Sequence, residues 1–272
     1  MTISQLQQKA KELRRAVLEM VAQAGSGHPG GALSSADLLT VLYYKYLRHR
    51  PEDPRWPERD RFVLSNGHVC PILYAILADR GYFPKEELKR LRKLGSILQG
   101  HPSLAWGTPG VEHSGGSLGL GLSVSVGMAL AAKLDKKDYK IYCLISDGEC
   151  QEGQTWEAAT AAVHYRLDNL CAMLDRNFTQ IDGRTEDIMK IEPITEKWRA
   201  FGWDTVEIDG HDYEQIISAF EKFLQNQGTG RPTMIVARTV IGKGVSFMEG
   251  DYHWHHGAPT PEQLEQALWE LS

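Results

Sequence analysis

Two segments of the 272-residue chain carry side chains suited to a hard divalent cation and the phosphate oxygens it would hold. They are Ser146-Asp147-Gly148-Glu149 and Asp175-Arg176-Asn177-Phe178-Thr179. One carboxylate (Asp147), one amide oxygen (Asn177) and a nearby backbone carbonyl make a donor set that suits Mg²⁺. Gly148, lacking a Cβ, lets the backbone come close to a phosphate. Either piece by itself also reads as an ordinary turn. A third segment, Gly115-Gly116-Ser117-Leu118-Gly119-Leu120-Gly121, leads into an apolar helical stretch and would offer backbone N–H groups to an anion. Its small residues equally suit close helix packing. It is neither a dinucleotide fingerprint nor a P-loop. Histidines stand beside glycine in four places: His28, His68, His101, and the His253-Trp254-His255-His256-Gly257 run. In turns such residues are ordinarily just exposed, but together they would make an imidazole-lined pocket able to relay protons near neutral pH. Zinc held by His253, His255 and His256 is a competing reading, weakened by the lack of a cysteine ligand or a His-Glu-x-x-His helix. No Gly-x-Ser-x-Gly elbow is present, which disfavours a serine hydrolase.

Short apolar or β-branched strands are expected at 61–64, 140–145, 170–174, 204–208 and 233–240. The second and third are continuous apolar runs, as in central strands covered on both faces. Helical periodicity is expected at 4–24, 35–47, 73–80, 118–134, 152–165, 195–201, 213–225 and 261–271, with Ser35 as an N-cap and Asp37 in the first turn. The alternation predicts a doubly wound α/β fold: one mostly parallel sheet with helices on both faces. Ligands of such sheets bind beyond the carboxyl ends of the strands. Asp147 and Asn177 lie thirty residues apart, a strand–helix–strand distance that makes their strand ends neighbours.

Hydrophobic residues at 42% and charged residues at 24% are ordinary for a folded domain, and a net charge of −5 argues against a general nucleic-acid or anionic-membrane surface. The four cysteines form no CxxC, and three of them, Cys70, Cys143 and Cys171, lie in apolar segments, which suggests buried reduced thiols and a cytoplasmic setting. No membrane span is expected. Trp156, Trp198, Trp203 and Trp254 read as core or interface residues.

Together the motifs resemble the N-terminal, diphosphate-binding half of transketolase. SGHPGG, LSNGH, GHP, GVE with GGSLGLG, SDGECQEG, DRNFTQIDG, and IGKG with HHGAP follow the family's order across nearly the whole chain. The resemblance implies a thiamine diphosphate-binding fold spanning 1–272, with thiamine diphosphate and Mg²⁺ (or Ca²⁺ or Mn²⁺) as cofactors. Asp147, Asn177 and the Thr179 carbonyl would hold the metal. His68, Gly116, Ser117, Leu118, Gly148, Asn177 and His256 would contact the cofactor. His28, His101 and His256 would bind sugar hydroxyls and shuttle protons, and Glu152 would lie between the two cofactor sites. The cofactor would act as electron sink while a two-carbon unit passes from a ketose, such as a sugar phosphate, to an aldose.

Three motifs depart from the family pattern. Ser146 replaces a glycine, Leu120 replaces a glutamine between glycines, and 96–101 lacks a Thr-Pro pair. The first keeps the ligand but puts a bulkier residue against the turn; the other two bear on the sugar. The pyrimidine-binding and C-terminal domains of a complete transketolase have no counterpart in this sequence. A split enzyme is therefore expected, with two copies of this chain and two of a partner subunit. The rivals are a subunit of a 2-oxo acid dehydrogenase or deoxyxylulose phosphate synthase, and a non-catalytic homologue.

Overall fold

The computed structural model describes residues 1–272. In chain order its elements are α1 (Ile3–Ala24), α2 (Pro29–Ser34), α3 (Ala36–Val41), β1 (Arg61–Leu64), α4 (Cys70–Arg80), α5 (Leu120–Leu134), β2 (Ile141–Ser146), α6 (Gly153–His164), β3 (Leu170–Arg176), β4 (Thr179–Gln180), β5 (Gly183–Arg184), α7 (Thr185–Ile188), α8 (Ile194–Ala200), β6 (Asp204–Asp209), α9 (Tyr213–Gln225), β7 (Thr233–Arg238) and α10 (Pro261–Glu270). Five parallel strands form one sheet in the order β1-β2-β3-β7-β6. All five expected strands are present and the α/β reading holds.

The apolar runs of β2 and β3 feed two cores. Tyr142, Leu144, Cys171 and Met173 point into the larger one, packed by α1, α3, α4 and α9. Ile141, Cys143, Ile145, Leu170, Ala172 and Leu174 point into the smaller one, under α5, α6 and α8. This two-residue alternation with both faces apolar is what a covered parallel strand requires. Trp198 and Trp203 belong to the second core, with the Trp156 ring tilted against Trp198, 4.9 Å between centres. All four cysteines are buried free thiols. No helix is long and apolar enough to cross a membrane.

Two local expectations are corrected. The expected helix over 35–47 is α3 followed by a π-helical turn, Leu42–Tyr46, and Ser35 makes no side-chain cap. Its hydroxyl instead donates to the Gly31 carbonyl at 2.6 Å. Asp37 does lie in the first turn of α3, and it is buried. Arg14 grips it with two hydrogen bonds of 2.8 and 2.7 Å, and His211 and Tyr213 add 2.8 and 2.5 Å contacts. Burial alone would raise its carboxyl, but Arg14 and these donors hold it well below the usual range. This knot ties α1, α3 and α9 together beneath the sheet.

The second correction concerns SGHPGG, whose loop ends at His28 because Pro29–Ser34 is helical. His28 is the N-cap residue of α2, and Pro29 opens that helix. The imidazole is therefore carried on a fixed element. Ser34 anchors the other end by donating to Asp175 at the end of β3, 2.6 Å.

Candidate active site

The carboxyl ends of β1, β2 and β3 open into a cavity of about 310 Å³. Its walls include His28, Asn66, His68, His101 and His255, together with Gly148, Asp175, Asn177 and Thr179. Parallel pairing sets Ser146 of β2 opposite Asp175 of β3, so Asp147 and Asn177 follow on adjacent strand ends. The two strand ends are neighbours, as their thirty-residue spacing predicts.

Asp147 is wholly buried behind Gly148. One of its oxygens accepts from Arg176 at 3.0 Å, and the other, Oδ1, has no partner. Burial pushes its pKa up to about 7, with Arg176 opposing. Arg176, also wholly buried, bonds Glu186 at 2.9 Å, Glu192 at 3.0 Å and Thr185 at 2.8 Å. Its guanidinium lies 4.0 Å over the Phe178 ring. Phe178 has φ +64°, an uncommon conformation for an aromatic residue, which folds 177–179 back towards Asp147. Asn177 is oriented by the same network. Its Nδ2 donates to Asp175 at 3.0 Å, and its Oδ1 accepts from the Thr179 amide at 3.0 Å.

These features fit a metal–diphosphate group. A buried carboxylate oxygen without a partner and an oriented amide oxygen on the adjoining strand are hard-cation donors. A Cβ on Gly148 would meet nothing of the chain nearer than Leu118 at 3.9 Å, so room is left there beside the cavity. Asn66 lines the cavity with both polar side-chain atoms buried and unpartnered. Gly67 lets this loop lie against the glycine turn, for a Cβ there would stand 3.0 Å from Gly115 Cα and Gly116 N.

The histidines converge. The His28 ring lies 5.1 Å from His68, 6.4 Å from His101, 5.7 Å from His255 and 4.8 Å from His256, centre to centre. Burial and the neighbouring imidazoles depress His28 to about 2 and His68 to about 3, so both are neutral at physiological pH. The 252–257 segment is held in place because the Gly257 amide donates to the Gly27 carbonyl at 2.9 Å. His253 instead is exposed and paired with Asp251 at 2.7 Å, so the three-histidine zinc reading fails. Glu152 stands exposed on the rim as the N-cap residue of α6. Gly116 and Ser117 are exposed, and Leu118 is half-buried.

His255, which the sequence placed in the imidazole group without a role at the cofactor or the sugar, lines the cavity beside His68 at 5.1 Å. Two further residues were given no role from the sequence. Arg92 reaches His28 from the 91–100 loop. Glu149 is wholly buried and gathers three elements. It accepts from the Gly119 amide at 2.9 Å, from the Ser146 amide at 2.9 Å and from the Ser65 hydroxyl. The amide of Gly119, at the start of α5, therefore already meets a carboxyl group of the chain itself. Ser146, expected to press on the turn, is drawn into this network. Glu149→Ala would orphan two buried amides and is expected to cost about 2–4 kcal/mol. Urea denaturation checks this, and an unchanged midpoint would show that water replaces the carboxylate at no cost.

Residues 5–268 match the family model described as "Transketolase, thiamine diphosphate binding domain". The chain is 45% identical over 272 residues to a subunit of the apulose-4-phosphate transketolase of Phocaeicola vulgatus, covering 100% of this chain and 95% of that one. It is 46% identical over 266 residues to a subunit of the 6-deoxy-6-sulfo-D-fructose transketolase of a Clostridium species, covering 98% and 96%. Among solved structures, transketolase from Campylobacter jejuni superposes with a TM-score of 0.93 at 39% identity. All of this chain is covered there, but 43% of that one.

Proposed function

The chain belongs to the transketolase family, as its thiamine diphosphate-binding domain, and from that premise we propose that it is the N-terminal subunit of a two-chain transketolase moving a two-carbon ketol unit from a ketose to an aldose. The observation that carries this reading is the set of imidazoles, His28, His68, His101 and His255, gathered on the cavity that Asn177 and Gly148 also line. Thiamine diphosphate, when bound, supplies the electron sink for breaking the carbon–carbon bond beside a ketose carbonyl. Asp147, Asn177 and the Thr179 carbonyl would hold Mg²⁺, or Ca²⁺ or Mn²⁺ in its place, and through it the diphosphate. Gly148 and the Gly116-Ser117-Leu118 turn would flank the same group, with His68 and His256 against the cofactor. His28, His101 and His256 would meet the sugar, holding its hydroxyls and moving protons at its oxygens. A polyol uses many such donors and acceptors, whereas a small 2-oxo acid uses few, which favours a ketose.

The relatives named as subunits match this chain almost end to end, while it spans 43% of the Campylobacter structure. Both facts support a C-terminal partner subunit that completes the site. Glu152, exposed on the cavity rim, would then meet a neighbouring chain in an assembly with two copies of each subunit. The sugars in the two relatives' names carry a phosphate or a sulfonate. No lysine or arginine lines the cavity here, so the partner would clamp that group.

The test is reconstitution. With Mg²⁺ and thiamine diphosphate, the chain alone is expected to transfer nothing, and its mixture with a C-terminal transketolase subunit to pass two carbons from ketose to aldose. Robust transfer by the chain alone would overturn the two-chain reading. Decarboxylation of a 2-oxo acid by the mixture would favour the rival enzyme class. Cofactor binding without turnover of any ketose would leave a non-catalytic homologue.

A further inference from the structure

His28 has one hydrogen-bond partner on its ring. Arg92 Nη2 lies 3.4 Å from its Nδ1, while Nη1 of the same guanidinium lies 3.3 Å from Ser26 Oγ. A guanidinium has only N–H groups to offer and carries a permanent positive charge. An N–H on Nδ1 would point a second donor at that cation, so the lone pair belongs on Nδ1 and the proton on Nε2.

The fold holds Arg92 in this place. Its backbone adopts φ +60°, a region that bulky residues rarely occupy and that persists where the surroundings impose it. Its amide donates to the Leu98 carbonyl at 2.9 Å. The stretch of loop it faces is pinned in turn, since Tyr74 donates to the Gln99 carbonyl at 3.0 Å and Cys70 to the Gly100 carbonyl at 3.3 Å. Gly100 leaves the space the guanidinium occupies, for a Cβ there would come within 2.9 Å of Arg92 Nε. The remaining titratable groups around His28 are His68, His101, His255 and His256, none of which supplies a carboxylate that would favour an imidazolium.

We infer that Arg92 is a positioning residue that holds His28 as the neutral Nε2–H tautomer, so that His28 meets the substrate as a hydrogen-bond donor and not as a base. The consequence for the sugar rests on the transketolase reading above; the tautomer does not. A donor at this place stabilises charge growing on a substrate oxygen, and the acceptance of protons falls to the other imidazoles.

The experiment is a long-range ¹H–¹⁵N correlation spectrum of the histidine side chains of the full chain at pH 7, with His28 assigned through His28→Gln. The expected wild-type signal is a neutral ring protonated at Nε2. Arg92→Ala is expected to give a mixture of tautomers and a higher His28 pKa. Arg92→Gln, which still offers an N–H to Nδ1, should recover most of the Nε2–H form. In the reconstituted enzyme Arg92→Ala should lower kcat/KM for the ketose by about 10- to 100-fold, as loss of an orienting partner does elsewhere, with cofactor affinity unchanged and Arg92→Gln restoring most of the rate. An Nδ1–H ring in the wild type overturns the inference, as does an Nε2–H population unaltered in Arg92→Ala. If that variant fails to fold, the wild-type spectrum and Arg92→Gln still decide. A fixed tautomer in an enzyme that transfers no ketol unit would refute the activity and leave the Arg92 assignment standing.

Discussion

Replacing Asp147 by alanine is expected to weaken Mg²⁺-dependent retention of thiamine diphosphate by more than about 100-fold while leaving the chain folded. Loss of a group that merely orients a metal ligand costs about 10- to 100-fold, and a direct ligand should exceed that. Asp147 has the attributes of one: a buried carboxylate at a strand end, with one oxygen unpartnered. The fold should survive because Arg176, the partner left behind, keeps its contacts to Thr185, Glu186 and Glu192. Removing one member of a buried ion pair is otherwise strongly destabilising, so this retained network is the reason for the expectation. Calorimetric titration of the assembled enzyme with and without Mg²⁺ is the measurement. Wild-type affinity in the variant would remove Asp147 from the site, and collapse of the thermal transition would show that its main role is to neutralise Arg176.

His28→Ala and His101→Ala are expected to lower kcat/KM for the ketose by about 10²–10⁴-fold, the range for losing a group that handles protons or developing charge. Cofactor affinity should change by no more than a few-fold. The electrostatics give the reason. Burial and its imidazole neighbours depress His28 to about 2, and burial with Arg92 lowers His101. A lowered pKa favours the uncharged ring at neutral pH, so neither imidazole is set up to attract an anionic diphosphate. Their loss must therefore appear in the chemistry of the sugar. Between about pH 6 and 8 His28 in the free chain should not titrate, because its folded pKa lies far beneath that window. Steady-state kinetics with either variant within a few-fold of wild type would return both residues to a structural role.

The strands were legible from local composition alone. IYCLI and LCAML are continuous apolar runs because both sheet faces are covered, and that condition is written into consecutive residues. The strand-end placement of Asp147 and Asn177 followed from their spacing for the same reason. Expectation and structure part at SGHPGG. Two consecutive glycines argue against a helix by propensity, yet Pro29–Ser34 is helical. The glycines are there for packing: a Cβ on Gly30 would stand 2.6 Å from Ile241 Cγ1 and the Trp254 carbonyl, and one on Gly31 would stand 2.6 Å from Val69 Cγ1. Those partners are distant in sequence, so no local pattern announces them.

The architecture, the strand ends that meet and the family were all readable from residue order, since each depends on residues near one another or on motifs in succession. Which polar residues face inward was set by the folded chain alone. Glu149 stands in a polar turn and looks solvent-exposed, but the 84-residue separation from Ser65 closes on it and makes it a buried hub. Arg92 lies in a basic stretch that reads as a solvated surface, and only the fold sets its guanidinium against His28, 64 residues away. His255 lines the cavity, its neighbour His256 is exposed with its ring 4.8 Å from His28, and His253 is exposed and paired with Asp251. In each case a side chain's surroundings come from chain segments brought together by burying apolar surface elsewhere, a non-local outcome that residue type and spacing do not encode.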